Sequence, residues 1–487
     1  MKMSKPKLKN PMNKNSREKK FTNEKFANKN FEDKKFHEKN FKSEKFANEN
    51  FKREKKITNK NFSNKKFSKE NFTNEKFVKE NFFDENLRTK NLEVSISHLC
   101  NAKKIPRDAK NVIAHFDEMV QRVFPMNKKQ ATKLVENIQT LSHSLTDERT
   151  SRRVSYLNDV EMLSSYVRYF SAWNIFKLAT LFANVDENFF AFTDGTIALD
   201  IGSGPLTLPI ALFFAKENFR SKKIVWYCLD ISANALSLGE KIFLEIAKEL
   251  GFEKVNWKII RVKGKLGTFI KQKADFVSCA NVLNEIFDGN ENAESFAKEY
   301  AKKIFSYGNE KSKFFFFEPG VPRFANIISL LRDESLQNNM KIFLPCTHEH
   351  TCPMNGKNAK RGGKAKWCNF LLPTNDAPFF LKKISREAGF QKLKESFSFL
   401  FVKKRNEKES KKQNENEIFR AKKMRVASEE IFLQTGECGF YACTSEGLAL
   451  AVKKTDAQIF SGDEIIFSEK NESEKIDKKT NAKILYV

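Results

Sequence analysis

From residue 91 to residue 190 apolar side chains recur at spacings of three and four, in the stretches NVIAHFDEMVQRVF, KKQATKLVENIQTLSHSL and VEMLSSYVRYFSAWNIFKLATLFANV. That period fits one face of an α-helix and predicts a helical region with breaks at Pro106 and Pro125. Beyond residue 190 the pattern changes. Short apolar runs, TIALDI (196–201), IVWYCLD (224–230), VNWKIIRV (255–262), DFVSCA (275–280) and KFFFFEPG (313–320), read as strands. Helical stretches separate them: LTLPIALFFAKENF, one from about 232 to 250, and one that runs through residue 305. Strand and helix in alternation predict an α/β fold with a mostly parallel sheet covered on both faces.

The front of the chain follows neither period. Phe stands at 21, 26, 31, 36, 41, 46 and 51 and, after one extra residue, at 62, 67, 72, 77 and 82. A five-residue repeat turns roughly 140° per step on a helix and alternates faces on a strand, so neither element gathers these rings on one side. A pentapeptide solenoid would point the residue two before each Phe inward. Those places hold only Lys and Glu, among them Glu24, Lys29, Lys60 and Glu80, and burying unpaired charges costs several kcal/mol each. Residues 1–90 are therefore expected to form a disordered low-complexity arm, whose interleaved Lys and Phe also suit a single-stranded phosphate backbone and its bases.

Charge sharpens that division. The 487-residue chain carries 88 Lys+Arg against 61 Asp+Glu, a formal net charge of +27. Residues 1–90 hold 27 of the basic and 13 of the acidic side chains, so about one fifth of the length supplies half the excess. Such a balance favours polyanionic partners, nucleic acid first. No apolar run approaches the roughly 18 to 20 residues that span a bilayer, and no apolar stretch follows the basic start, so no membrane partner and no secretory leader are expected. Eight cysteines are too few for a disulfide scaffold and point to thiol or metal chemistry in a reducing compartment, taken as the cytoplasm.

The strand ends carry the candidate chemistry. Asp200-Ile-Gly202-Ser-Gly204 places glycines where the chain turns from strand to helix and where a ligand approaches the backbone closely. Asp230 ends the next strand, where a carboxylate can accept both hydroxyls of a ribose. The third Gly of a dinucleotide fingerprint is missing, which favours S-adenosylmethionine over a nicotinamide cofactor. In the loop Cys279-Ala-Asn281-Val-Leu-Asn284-Glu285, Asn281 is a candidate to touch cofactor and orient an acceptor, and Glu285 a candidate base. The (Asn/Asp/Ser)-Pro-Pro-aromatic motif of amino methyltransferases is absent there. Glu318 and Pro319, ending the fifth strand, are expected to shape the pocket wall.

Further on stand Cys346 and Cys352 in PCTHEHTCP, then a basic loop with Lys357, Lys360, Arg361, Lys364 and Lys366, then Cys368. Three thiols across a polar, Gly-rich segment suit a metal site, with a fourth donor from Cys438, Cys443, His348 or His350; spacing leaves zinc and an iron-sulfur cluster both open. The spacing is not that of radical S-adenosylmethionine enzymes.

LDIGSGP, FEPGVPRF, PCTHEHTCP with WCNF, and ACTSEG, in this order, resemble the small-ribosomal-subunit methyltransferase-like family of bacteria and mitochondria, whose mitochondrial members assist small-subunit assembly. The likeness covers roughly residues 95–455, and the cysteine block is its most specific part. It implies a class I methyltransferase, Rossmann-like fold, S-adenosylmethionine binding, association with small-subunit ribosomal RNA, and a 4Fe-4S cluster. Carried over by motif, the cluster ligands are Cys346, Cys352, Cys368 and Cys443, with zinc the alternative metal. One departure is Leu206, which stands where the family commonly has the last Gly of G-S-G-P-G and is expected to project where the cofactor approaches.

The layout expected is an arm at 1–90, a helical domain at 91–190 and a methyltransferase-like domain at 191–402 that includes a metal-binding cysteine insertion at 341–370. A basic insertion at 403–425 and a small β-rich region at 426–487 follow. Function is expected as a monomeric RNA methyltransferase, or as a non-catalytic assembly factor that keeps the fold and grips RNA.

Overall fold

The computed structural model describes residues 94–99, 103–146, 156–357, 359, 364–405, 422–454 and 456–487, all within the unit Thr89–Val487. The expected arm at 1–90, Lys360, Arg361 and positions 406–421 of the basic tract lie outside the described residues.

Helices fill most of the front: α1 (Arg107–Ala114), α2 (Phe116–Val123), α3 (Lys128–Thr146), α4 (Val160–Tyr166), a π-helical turn (Val167–Ser171), α5 (Ala172–Asn184) and α6 (Glu187–Phe190). The first helical stretch is split at His115, whose Nδ1–H donates to the Asn111 carbonyl (3.0 Å) and so competes for an acceptor of the helix. The front is not purely helical, because β1 (Ser95–Ser97) precedes α1. A hydroxyl-rich SIS segment is too short to give a period, and only its partner far along the chain makes it a strand.

All five apolar runs form strands: β2 (Thr196–Ile201), β3 (Ile224–Asp230), β4 (Trp257–Lys263), β5 (Ala274–Ala280) and β6 (Gly308–Pro319). The intervening helices are α7 (Thr207–Ala215), α8 (Glu217–Arg220), α9 (Ala233–Glu249), α10 (Leu283–Ile286) and α11 (Ala293–Phe305). After α12 (Pro322–Gln337) come β7 (Met340–Leu344), β8 (Phe370–Pro373), α13 (Phe379–Glu387) and β9 (Lys394–Lys404). The sheet order is β4-β3-β2-β5-β6-β9-β7, with β8 also on β9. β2 to β6 pair in parallel, and β9 enters antiparallel between β6 and β7. That is the strand order of the class I methyltransferase fold. The chain leaves β2 toward β3 on one side and β5 on the other, which opens a crevice at the carboxyl ends of β2 and β5.

The run Phe314–Phe317 shows how the sheet is buried. All four rings are fully inaccessible. Alternation sends Phe315 and Phe317 to one face, where Phe315 meets Phe182 of α5 (5.1 Å between centroids) and Phe401 of β9 (4.3 Å). Phe314 and Phe316 face the other layer, where Phe305 of α11 packs on Phe314 at 5.1 Å. One apolar run thus serves two cores, as a doubly covered strand must.

A second sheet collects the C-terminal strands β10 (Lys422–Val426), β11 (Ile431–Phe432), β12 (Cys438–Thr444), β13 (Gly447–Val452), β14 (Glu464–Phe467), β15 (Glu472–Ile476) and β16 (Lys483–Tyr486). Its order is β1-β14-β10-β12-β13-β16-β15, with β11 on β12, and β1 pairs antiparallel with β14 from Ser95↔Ile466 onward. Among the described residues no helix is long and apolar enough to cross a membrane.

Truncating Phe315 to Ala removes a ring that both β9 and α5 pack against. We expect Phe315→Ala to cost about 3–5 kcal/mol in urea unfolding of the full chain; a loss below about 1 kcal/mol would show that the two-faced packing is not what holds this strand.

Candidate functional site

The turn after β2 is built from three residues in the left-handed region: Gly202 (φ +67), Gly204 (φ +51) and Leu206 (φ +58). A Cβ at Gly202 would overlap the Val282 side chain, so glycine lets the loop after β5 close onto the turn. The Gly202 and Ser203 amides donate to the Leu229 carbonyl at 2.8 and 3.0 Å and fasten the turn to β3. At Gly204 a Cβ would meet nothing within 4 Å, so the turn faces open space there.

Leu206 corrects the expectation that it obstructs a cofactor. Its side chain is fully buried in the apolar core and is not among the cavity-lining groups. It packs toward α9, where a Cβ on Gly239 would come within 2.7 Å of Leu206 Cδ1. The left-handed backbone costs roughly 1–2 kcal/mol in a non-glycine residue, and burial of a Leu side chain, worth about 1.5–3 kcal/mol, offsets it.

A cavity of about 230 Å³ lies beyond the turn, at the carboxyl ends of the central strands. Asp200, Gly202, Gly204, Asp230, Asn281 and Glu285 all line it, whereas Glu318 and Pro319, expected to shape its wall, do not. The helical front closes it with Tyr166 and Asn174, which flank the π turn, and Lys265 enters from the loop after β4. These three had no motif to announce them.

Asp230 Oδ2 accepts the Gly204 amide and Oδ1 the Ser232 amide, both at 2.8 Å, so the carboxylate joins the glycine turn to the start of α9. Burial pushes its pKa up. Asp200 is deeper: the Ser203 hydroxyl donates to Oδ2 and the Ser278 hydroxyl to Oδ1, each at 2.7 Å. Burial, only partly offset by those hydroxyls, pushes its carboxyl up to about 7.

The loop after β5 is set by Glu318. This carboxylate is inaccessible to solvent and accepts the amides of Val282, Leu283 and Asn284 (3.2, 2.9 and 3.2 Å) and the Asn284 side-chain amide (2.7 Å). Burial pushes it up to about 7. Its place is therefore beneath the loop, where it fixes the segment that carries Asn281 and Glu285. Asn281, at φ +56, is anchored through its amide to the Phe317 carbonyl (2.7 Å), and Glu285 is exposed at the cavity mouth.

Cys346, Cys352, Cys368 and Cys443 form a second constellation where the two sheets meet. Cys346 follows β7, Cys352 lies in the loop, Cys368 precedes β8, and Cys443 sits on β12 of the other sheet. The thiols are close enough to act on one another: burial first, then Cys352, Cys346 and Cys443, holds Cys368 well above its usual value, and Cys443 responds likewise to Cys352 and Cys346. Two buried guanidinium groups border them. Arg332 donates Nε to Cys346 Sγ (3.3 Å) and Nη2 to the carbonyls of His348 and His350 (3.1 and 2.7 Å). Arg425 donates to the carbonyls of Pro345 and Gly462, both at 2.7 Å. His348 Nε2 lies 3.0 Å from Cys443 Sγ. Cys438 stands apart beside Glu430, five residues along β12 and so on its opposite face. Among the described residues no three His, Cys, Asp or Glu side chains converge on a single metal-ion position.

A family model described as mitochondrial small ribosomal subunit Rsm22 matches residues 171–446. No curated protein matches the chain. Solved structures similar to it include the ribosomal protein L11 methylase of Lactobacillus delbrueckii subsp. bulgaricus, at 19% identity over 35% of this chain and 72% of that one, with a TM-score of 0.24. The precorrin-6y C5,15-methyltransferase of Geobacter metallireducens GS-15 shares 10% identity over 47% of this chain and 86% of that one, at a TM-score of 0.26. The plantazolicin methyltransferase BpumL, solved with SAH, shares 13% over 57% and 100%, at 0.27.

Asp200 gives a pH signature. Its carboxyl is raised from 3.8 to about 7 on folding, so the folded chain holds that proton more tightly than the unfolded one. The group's contribution is then most favourable below about pH 4 and is lost as pH rises toward about 7. Urea unfolding of the wild type and Asp200→Asn across this range should show the difference in stability shift against the wild type between pH 4 and pH 7 and level off above; a pH-independent difference would contradict the burial account.

Proposed function

The chain belongs to the mitochondrial small ribosomal subunit Rsm22 family, and on that premise we propose that it is an S-adenosylmethionine-binding, methyltransferase-like protein that acts on or binds small-subunit ribosomal RNA during ribosome assembly or translation. The observation that carries the reading is the cavity at the carboxyl ends of β2 and β5, with an open glycine turn and Asp230 on its wall. Asp230 and Glu285 on its wall, with the Asp200 carboxyl behind them, outnumber the one Lys265, which favours a cationic ligand.

S-adenosylmethionine supplies an electrophilic methyl group on a sulfonium. Around it, Asp230 would accept ribose hydroxyls on the lone pairs left open by Gly204 and Ser232, and Gly202 and Gly204 would let the ligand lie against the backbone. Asp200 keeps the turn and β5 in register through Ser203 and Ser278. The Asn281 amide would orient an acceptor, and Glu285 would take a proton at a carboxylate oxygen when the acceptor atom carries one; positioning supplies most of the rate.

Cys346, Cys352, Cys368 and Cys443 are assigned to a 4Fe-4S cluster. Two buried thiols, Cys352 and Cys443, and two half-buried ones, Cys346 and Cys368, near Arg332 and Arg425 suit thiolate ligands, and the Thr347 hydroxyl, between Cys346 and Cys352 in sequence, is buried without a hydrogen-bond partner among the described residues. Zinc is the alternative occupant of the same thiols. A cluster there would tie the sheets together by thiolate–iron bonds. The monomeric state and a reducing compartment, the cytoplasm in the reading above, belong to the same proposal; the family's description names the mitochondrion.

A second reading, a non-catalytic factor that keeps the fold, is favoured by one observation: the loop Cys279–Glu285 lacks the acceptor motif of amino methyltransferases. Leu206, turned into the core, lends it no support.

Titration calorimetry of the full chain with S-adenosylmethionine should show one site, weakened about tenfold or more by Asp230→Ala; no binding by the wild type would contradict the proposal. With binding established, transfer of a labelled methyl group to small-subunit ribosomal RNA selects the enzyme and its absence the factor. Anaerobic protein should contain about four iron and four acid-labile sulfide per chain, lost in Cys443→Ser and kept in Cys438→Ser. Stoichiometric zinc without sulfide would replace the cluster.

A further inference from the structure

A second concavity, of about 280 Å³, opens beside the cysteine corner, between the segments next to Cys352 and Cys368 and the turn joining β15 to β16. Lys364 and Lys366 rim it on one side, Lys478 and Lys479 on the other. None of these four forms an ion pair among the described residues, whereas Lys422, Lys423, Lys454 and Lys483 of the same sheet each meet a glutamate. The one acid of the turn is occupied: Asp477 accepts the Tyr441 hydroxyl (3.0 Å), the Thr480 hydroxyl and the Lys479 amide (3.1 Å). The Lys366 ammonium is held over the Tyr441 ring, 4.2 Å from its centroid, so its stem is placed in advance.

Four ammonium groups around one concavity repel each other, and an anion between them reverses the sign of that energy. The neutral lining suits a sugar-phosphate unit: the side chains of Asn355 and Asn481 offer amide groups beside the charges. We propose that this concavity holds the phosphate backbone of an RNA strand, which makes the cysteine corner an RNA-facing surface. The inference rests on the RNA reading above and adds the place where the backbone docks. An acidic protein segment is the competing occupant, and the side-chain amides of Asn355 and Asn481 beside the lysines, suited to a sugar-phosphate unit, favour RNA over it.

The test uses the full-length chain and a labelled single-stranded fragment of small-subunit ribosomal RNA, with affinity measured across salt concentrations. Lys364, Lys478 and Lys479 are exposed, so Lys364→Gln/Lys478→Gln/Lys479→Gln should keep its melting temperature. At about 0.7 per phosphate contact, losing three contacts should flatten the salt slope by about 2 and weaken binding about tenfold or more. The control, Lys241→Gln/Lys248→Gln/Lys258→Gln, removes the same charge from α9 and the opposite edge strand β4 and should change the slope by less than half as much. Wild-type affinity in the concavity triple overturns this site while RNA binding itself stands. Equal losses in the two triples overturn it in favour of general charge. Tighter binding of poly-glutamate than of RNA, with the same lysine dependence, makes the occupant an acidic protein segment. A wild type that binds no RNA ends both this inference and the reading beneath it.

Discussion

Two buried guanidinium groups hold one loop between two sheets, and much of the molecule's arrangement follows from that. Arg332 reaches from α12 to the carbonyls of His348 and His350, while Arg425 reaches from β10 to the carbonyl of Pro345. A guanidinium taken out of water costs several kcal/mol unless its donors are satisfied, so neither side chain tolerates the loop elsewhere. The loop is thereby pinned to the methyltransferase sheet by one arginine and to the C-terminal sheet by the other. Cys346 comes to lie against Arg332 and near Cys443, and residues nearly a hundred positions apart share one corner.

Buried charge plays the reciprocal part at the strand ends. Asp200, Asp230 and Glu318 are carboxylates inside the sheet's crevice, each bonded to the hydroxyls or amides of a neighbouring turn. They set the glycine turn, the start of α9 and the loop with Asn281 and Glu285 before any ligand arrives, so little reorganisation is left for binding. The molecule thus separates its signs: an acidic cavity at the switch point suits a cation, and a lysine-rimmed concavity by the thiols suits an anion.

How far this was legible depends on how local each determinant is. Asp200, Gly202, Gly204 and Asp230 could be read because a strand, a tight turn and an acid one strand later lie within about thirty residues, and all line one cavity. The Phe314–Phe317 run could be read as a buried strand for the same reason. Leu206 could not: its left-handed backbone and the space left by Gly239 decide where it points, and neither shows in a one-dimensional pattern. Arg332, followed by Asp333 on a helix, reads as a solvated pair, and Arg425 lies in a basic tract, so their burial depends on carbonyls contributed by a distant loop. The insertion of β9 between β6 and β7, and the pairing of β1 with β14, are likewise long-range choices without a local signal. The thiol set needed the family resemblance, although the five-residue step from Cys438 to Cys443 on one strand already separates the two by face.

We propose that the four thiols at the joint hold a cluster that fixes one sheet to the other. Anomalous diffraction from anaerobically grown crystals, recorded on either side of the iron absorption edge, addresses it most directly. The account predicts one iron peak enclosed by Cys346, Cys352, Cys368 and Cys443. A joint with the same backbone, no iron signal and four unligated thiols would contradict it.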